Sequence, residues 1–245
     1  MIAVVTGASS GIGEATARRL AREPDAKLVL VARREERLRS LASQLGGATI
    51  VAADLVDADA PTAVAQAVER EYGRLDLLVN NAGAAWGATF EEGGEPNVRR
   101  TMELNFDAVL RLSQALLPLL RRSAPSAMVN VSSVAARAAR PGAGAYGASK
   151  AALAAWTDAL ALEEGGRGVH VGLVLPGFVA TEGFPQRRLV ERRLTRWIVA
   201  RPDRVAEAIV DAGLRRRPER YVPRHYALAA GARLLAPRLL RRIMG

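Results

Sequence analysis

The chain has 245 residues with no cysteine, 49% hydrophobic, 24% charged and 4% aromatic, a balance that excludes a disordered or disulfide-stapled protein and predicts a soluble globular one. At this length one domain, 1–245, can bury its own core. The net charge of +10 suggests a polyanionic partner, but residues 1–181 carry 19 basic and 19 acidic side chains and residues 182–245 carry 16 and 6. The excess therefore belongs to the last quarter, which excludes a diffuse polycation.

The first residues lack the charged start and cleavable apolar stretch of a secretion signal. No run reaches the ~18 apolar residues of a membrane-spanning helix. With His170 and His225 the only histidines and no cysteine, no metal site is expected and the compartment is expected to be cytoplasmic. Taken in chain order, the aliphatic runs Ile2–Val5, Leu28–Val31, Thr49–Ala52, Leu75–Val79, Ala127–Val131 and Val169–Leu175 read as buried strands. Helical spacing falls between them at 12–22, 35–45, 60–72, 97–121, 147–164 and 203–216. Such alternation implies right-handed crossovers and an α/β, doubly wound parallel sheet with helices on both faces, a three-layer sandwich that binds ligands at the carboxyl ends of its strands. Thr181 to Ala200 has few apolar anchors and reads as a flap or short helices, and the tail after Tyr221 is open to either assignment.

Immediately after the first strand comes Thr6-Gly7-Ala8-Ser9-Ser10-Gly11-Ile12-Gly13, which opens the first helix. Glycines here let backbone N–H groups approach a pyrophosphate at a helix amino terminus. An acid commonly follows the second strand at an NAD site, whereas this chain has Ala32-Arg33-Arg34, whose guanidinium groups match a ribose 2′-phosphate. NADP is the expected cofactor, and a solvated helix face is the alternative use of the two arginines. Asp54-Leu55 after the third strand is placed to meet the adenine edge, although an Asp there is also a routine helix cap.

Tyr146 and Lys150 stand at i and i+4, on one helix face if the helix begins at Tyr146. Lys150 is one of two lysines among 35 basic residues, and its compact ammonium can reach both a phenol and ribose hydroxyls. A cation beside the phenol is expected to lower its pKa from ~10, making Tyr146 a candidate general acid or base. Ser132-Ser133 ends a strand, where Ser133 would hold a substrate carbonyl or cap a turn. Asn80-Asn81-Ala82-Gly83 follows the fourth strand, and Asn105 lies inside the long predicted helix, where an amide is mildly unfavourable.

The motifs TGASSGIG at 6–13, Asp54, NNAG at 80–83, Asn105, Ser133, YGASK at 146–150 and PGFVAT at 176–181 resemble the short-chain dehydrogenase/reductase family in order and spacing over residues 1–181. The resemblance implies a Rossmann-like fold and an NADP-dependent oxidoreductase acting on a carbonyl or alcohol. In it Tyr146 exchanges the proton, Ser133 positions the substrate oxygen, Lys150 binds nicotinamide ribose and assists Tyr146, and Asn105 holds a water linking Lys150 to solvent. Gly7, Ser9, Ser10, Gly11, Ile12 and Gly13 would hold the pyrophosphate side, with Asn81, Ala82 and Gly83 lining the adenosine ribose and cleft floor. Pro176, Gly177, Val179 and Thr181 would seat the nicotinamide. A catalytically idle NADP-binding or scaffolding protein is the alternative, and a homodimer or homotetramer is the family habit.

The last quarter is where such chains diverge, so 182–245 is expected to supply a substrate flap and a basic tail. Trp86, Val134, Phe178, Phe184 and Trp197 are candidate apolar walls for a hydrophobic substrate. If the tail is helical, Leu228, Leu235, Leu239 and Ile243 share a face, Arg233, Arg238 and Arg241 lie off it, and Pro237 interrupts it. That stripe is expected to pack on the body or a second subunit, with peripheral contact to an anionic membrane as the alternative. No nucleic-acid motif appears.

Overall fold

A computed structural model describes residues 1–138, 140–182 and 198–235. The chain runs β1 (Ile2–Thr6), α1 (Gly11–Leu20), β2 (Lys27–Ala32), α2 (Glu35–Gln44), β3 (Thr49–Ala52), α3 (Ala60–Tyr72) and β4 (Leu77–Asn80). It continues through α4 (Phe90–Met102), a π-helical turn (Glu103–Asp107), α5 (Ala108–Arg122), β5 (Ser126–Val131), α6 (Gly144–Gly165) and β6 (Val169–Pro176). After the short strands β7 (Phe178–Val179) and β8 (Val199–Ala200) come α7 (Pro202–Gly213), β9 (Glu219–Val222) and α8 (Tyr226–Leu235).

Seven strands form one parallel sheet in the order β3-β2-β1-β4-β5-β6-β9. Side chains alternate across it, as the pleat requires. Ala3 and Val5 of β1 face Ala17 and Leu20 of α1, Leu41 of α2 and Ile209 of α7, whereas Val4 between them faces Val64 and Val68 of α3, Leu112 and Leu116 of α5 and Leu160 of α6. The expected three-layer, Rossmann-like architecture is therefore the one observed. Strand order reverses between β1 and β4, which opens a crevice at their carboxyl ends.

Three regions differ from the sequence expectation. The predicted helix 97–121 is the end of α4, a π-helical turn and α5, because the turn at Glu103–Asp107 interrupts it at Asn105; α4 itself is kinked earlier, where Gly94 takes φ 52°. α4 also starts earlier, at a capping box in which Thr89 and Glu92 bond each other's backbone N–H. Leu75 and Asp76 precede β4 instead of joining it, Asp76 Oδ2 accepting the Ile2 N–H at 2.6 Å. β7 and β8 are only two residues each, and β9 begins Glu219-Arg220, so none shows in a periodicity reading. No described helix is long and apolar enough to cross a membrane. Phe184, Trp197, Pro237, Arg238, Leu239, Arg241 and Ile243 lie outside the described residues, while Leu228 on α8 is 78% exposed.

Leu77 joins the first strands to the α7 layer: a Cβ built on Gly213 would lie 2.8 Å from Leu77 Cδ1. Leu77→Ala is expected to lower stability in urea unfolding by about 2–5 kcal/mol, since the glycine opposite cannot fill the cavity. A loss well below that range would show that the layers close over the gap.

Candidate active site

The glycine loop leaves the end of β1 with Gly7 at φ +66° and Gly11 at φ +58°, left-handed conformations that suit glycine. A Cβ at Gly13 would strike the Gly7 carbonyl oxygen and come within 2.7 Å of Asn81 Nδ2, so only glycine lets α1 start against β1. Ser10, at the helix N-cap, makes no side-chain capping bond, which leaves the first N–H groups of α1 available to an anion. Thr6 ties this loop to the next: its Oγ1 accepts the N–H groups of Asn81 and Ala82 at 2.9 and 3.0 Å, and its carbonyl accepts Asn81 Nδ2 at 2.8 Å.

Lys150 is 3% exposed, and its Nζ donates to the Val131 carbonyl at the end of β5 at 2.9 Å. Burial lowers its pKa to about 8. Ser132 Oγ donates to the Lys150 carbonyl at 2.7 Å, so β5 holds both the head and the backbone of this residue. Asn105, fully buried, donates Nδ2 to the Ala84 carbonyl at 2.8 Å and to Ser149 Oγ at 3.1 Å while Oδ1 accepts the Ala84 N–H at 2.9 Å. It thereby clamps the loop after β4 onto α6. Gly83 permits the approach, since a Cβ there would lie 2.9 Å from Asn105 Oδ1 and 3.3 Å from Lys150 Nζ.

α6 begins at Gly144, so Tyr146 and Lys150 occupy successive turns of one helix, with Nζ 6.0 Å from the centre of the phenol ring. Ser133 faces the same space; its hydroxyl donates to the Pro176 carbonyl at 3.3 Å and accepts the Ala135 N–H at 3.1 Å, so it caps a short turn as well. Burial pushes the Tyr146 phenol above its ordinary pKa, while Ser133 and then the charge of Arg140 pull it down. This corrects the expectation that Lys150 lowers the phenol: the net direction is upward, and the opposing cation is Arg140.

The residues expected to bind or react line one cleft of about 470 Å³, except Gly13 and Asn105, which stand behind it as supports. Arg33 and Arg34 sit at its rim. Arg33 pairs with Asp54 at 3.4 Å; Arg34 reaches Ser9 Oγ at 3.2 Å and Glu182 at 3.2 Å. Val134 and Phe178 are wall residues as expected. Trp86 is not: the Arg100 guanidinium covers its ring at 4.9 Å and Asn97 Nδ2 bonds its carbonyl at 3.1 Å, holding it against α4. Among the lining residues that escaped the sequence reading, Tyr226 and Arg140 carry polar groups. Tyr226 of α8 packs on Gly177, where a Cβ would come within 2.8 Å of Tyr226 Cζ, and it donates to the Ile198 carbonyl at 3.2 Å. Arg140 lines the cleft between Ser133 and Tyr146 in sequence, marked only by its charge.

Residues 1–191 match the family described as short chain dehydrogenase. Among curated relatives, the chain is 37% identical over 241 residues to the rhamnolipids biosynthesis 3-oxoacyl-(acyl-carrier-protein) reductase of Pseudomonas aeruginosa, covering 94% of this chain and 90% of the relative. It is 36% identical over 219 residues to D-threitol dehydrogenase of Mycolicibacterium smegmatis, with 85% and 84% covered. Among solved structures, the Pseudomonas aeruginosa RhlG/NADP active-site complex superposes with a TM-score of 0.80 at 34% identity, over 90% of this chain and 93% of that one. L-Sorbose reductase from Gluconobacter frateurii, complexed with NADPH and L-sorbose, also gives 0.80, at 28% identity over 90% and 93%.

The buried ammonium makes a stability prediction. With a folded pKa of about 8 against an unfolded value of ~10.4, the unfolded chain binds the extra proton between those limits, so stability rises with pH across that window. Below about pH 8 the cost is present in full. Lys150→Met is expected to be more stable than the parent at pH 7, by about 1–3 kcal/mol, and to lose the rise above pH 8. Denaturant titrations at several pH values read both, and an unchanged pH slope would contradict the assignment.

Proposed function

Because the chain belongs to the short-chain dehydrogenase family of oxidoreductases, as the match over residues 1–191 and the relative at 37% identity establish, we propose that it transfers hydride between NADP and a carbonyl/alcohol pair, with Tyr146 as acid and base. The observation that carries the reading is the convergence of Ser133, Tyr146 and the buried Lys150 on the cleft that the glycine loop also lines. A scaffold would gain nothing from burying that ammonium, so the idle alternative is not favoured.

The residues present fit a dinucleotide. The positive-φ glycines and uncapped α1 terminus suit a pyrophosphate, and Arg33 and Arg34 at the rim suit a 2′-phosphate. Asp54 and Glu182 now share those guanidinium groups at 3.4 and 3.2 Å, so a phosphate would compete with two carboxylates. The related structures bound to NADP and NADPH support the same choice. Asp54 and Leu55 would meet the adenine edge, Asn81 to Gly83 the ribose and cleft floor, and Pro176, Gly177, Val179 and Thr181 the nicotinamide.

When bound, the nicotinamide supplies or accepts the hydride at the substrate carbon. Ser133 orients the substrate oxygen, and Tyr146 gives it a proton in reduction or takes one in oxidation. Lys150, cationic at neutral pH, holds a ribose hydroxyl and stabilises the phenolate when the proton has left. Asn105 positions Lys150 through Ala84 and Ser149 and anchors the water that the family resemblance implies between Lys150 and solvent. The substrates named for the relatives include an oxoacyl group, a sugar and a tetritol, so none is carried over.

A panel of ketones and aldehydes with NADPH and NADH tests the reading. Tyr146→Phe is expected to lower kcat by roughly 10²–10⁴-fold while NADPH binding, followed by nucleotide fluorescence, persists. Full turnover in that variant would remove Tyr146 as the acid. Arg33→Asp should weaken NADPH about tenfold or more and NADH much less, as expected for losing a charge-assisted bond. An unchanged preference would remove the phosphate assignment.

A further inference from the structure

Arg140 is the cleft-lining arginine to which the proposed reaction gives no task. It lies in the connection between β5 and α6, exposed, with its guanidinium carbon 5.0 Å from the centre of the Phe178 ring. The two arginines at the opposite end of the cleft each hold a carboxylate, Arg33 that of Asp54 and Arg34 that of Glu182. Among the described residues no carboxylate pairs with Arg140, and its guanidinium lies over the Phe178 ring. A guanidinium stacked on a ring keeps its in-plane N–H groups free, and those are the groups that bind a carboxylate through two parallel bonds. Around it, Val134, Ala138, Phe178 and Tyr226 make the wall of the cleft apolar, and Ser133 and Tyr146 lie on the same lining.

Resting on the oxidoreductase reading above, we infer that Arg140 is the specificity residue of this site and that the substrate is an oxo acid, whose carboxylate meets Arg140 while its hydrocarbon body packs on Phe178 and Val134 and its ketone reaches Ser133 and Tyr146. A neutral ketone would leave the guanidinium unmatched. An amine-bearing one would be repelled. The same charge acts on the chemistry, because it opposes the burial that raises the phenols of Tyr146 and Tyr226. A carboxylate bound at Arg140 offsets that charge, which leaves the upward effect of burial on the Tyr146 phenol less opposed.

The test uses the full chain and a series of medium-chain oxo acids that differ in the separation of ketone and carboxylate, each beside its methyl ester, reduced with NADPH. The parent protein is expected to favour at least one acid over its ester by tenfold or more in kcat/KM, chiefly through KM, and to lose part of that preference at high salt. In Arg140→Gln the acid-to-ester ratio should fall to about one, Arg140→Lys should restore part of it, and the NADPH fluorescence titration should stay as in the parent. Acids and esters reduced equally by the parent, or a ratio that Arg140→Gln leaves in place, would overturn the inference, as would turnover of other carbonyls with none of the acids. Because Arg140 is exposed and pairs with no carboxylate among the described residues, Arg140→Gln is expected to keep the parent's melting temperature; the salt dependence of the parent's own ratio tests the inference without any variant. Failure of the underlying reading looks different, with neither NADPH binding nor turnover of any carbonyl.

Discussion

At the carboxyl edge of the sheet an ammonium is buried to 3% exposure, donating to the strand carbonyl of Val131, and among the described residues no carboxylate pairs with it. Interiors ordinarily exclude such a group or pair it. Much of the surrounding architecture exists to hold it: Ser132 fixes its backbone, Asn105 draws the Ala84 loop against it, and Gly83 has no side chain to block the approach. A lysine so placed weakens the fold and keeps a movable positive charge one helical turn from a phenol. That exchange of stability for chemistry is characteristic of reactive sites.

The parallel sheet makes the arrangement possible because every strand ends on the same side. β1 delivers the glycine loop, β4 the loop at Asn81 to Ala84, and β5 both Ser133 and the carbonyl that receives Lys150, while Thr6 locks the first two loops together. α6 then brings Tyr146 and Lys150 down onto this edge from one face of a single helix. Hydrogen bonds from these loops fasten the cleft where chemistry is proposed, and α8 contributes Tyr226 to its wall.

The parts legible in the sequence are those whose physics is local. A strand followed by glycines and a helix start announces itself, as does a tyrosine four residues before a scarce lysine. The helix break at Gly94 and the start at Thr89 were also written locally, in a Gly-Gly-Glu-Pro run and a Thr-x-x-Glu capping box, but the hydrophobic spacing of 97–121 masked both. Tertiary effects were not legible. Asn105 looked like an unfavourable helix residue because its partners, Ala84 and Ser149, are distant in sequence. Trp86 looked like a cleft wall until Arg100 and Asn97 of α4 were seen to hold it. The direction of the Tyr146 shift depends on burial, which no i,i+4 pattern reports.

The sequence contains two lysines, Lys27 and Lys150, and this makes the central feature directly measurable. Protein labelled with carbon-13 at the lysine ε-carbon has two signals whose titration can be followed by NMR without substrate or cofactor, and Lys150→Met assigns them. The account predicts that the Lys150 signal titrates with a midpoint of about 8, below the ~10.4 of an ordinary lysine. A Lys150 signal titrating above pH 10 would contradict a buried ammonium and with it the arrangement on which the proposed chemistry rests.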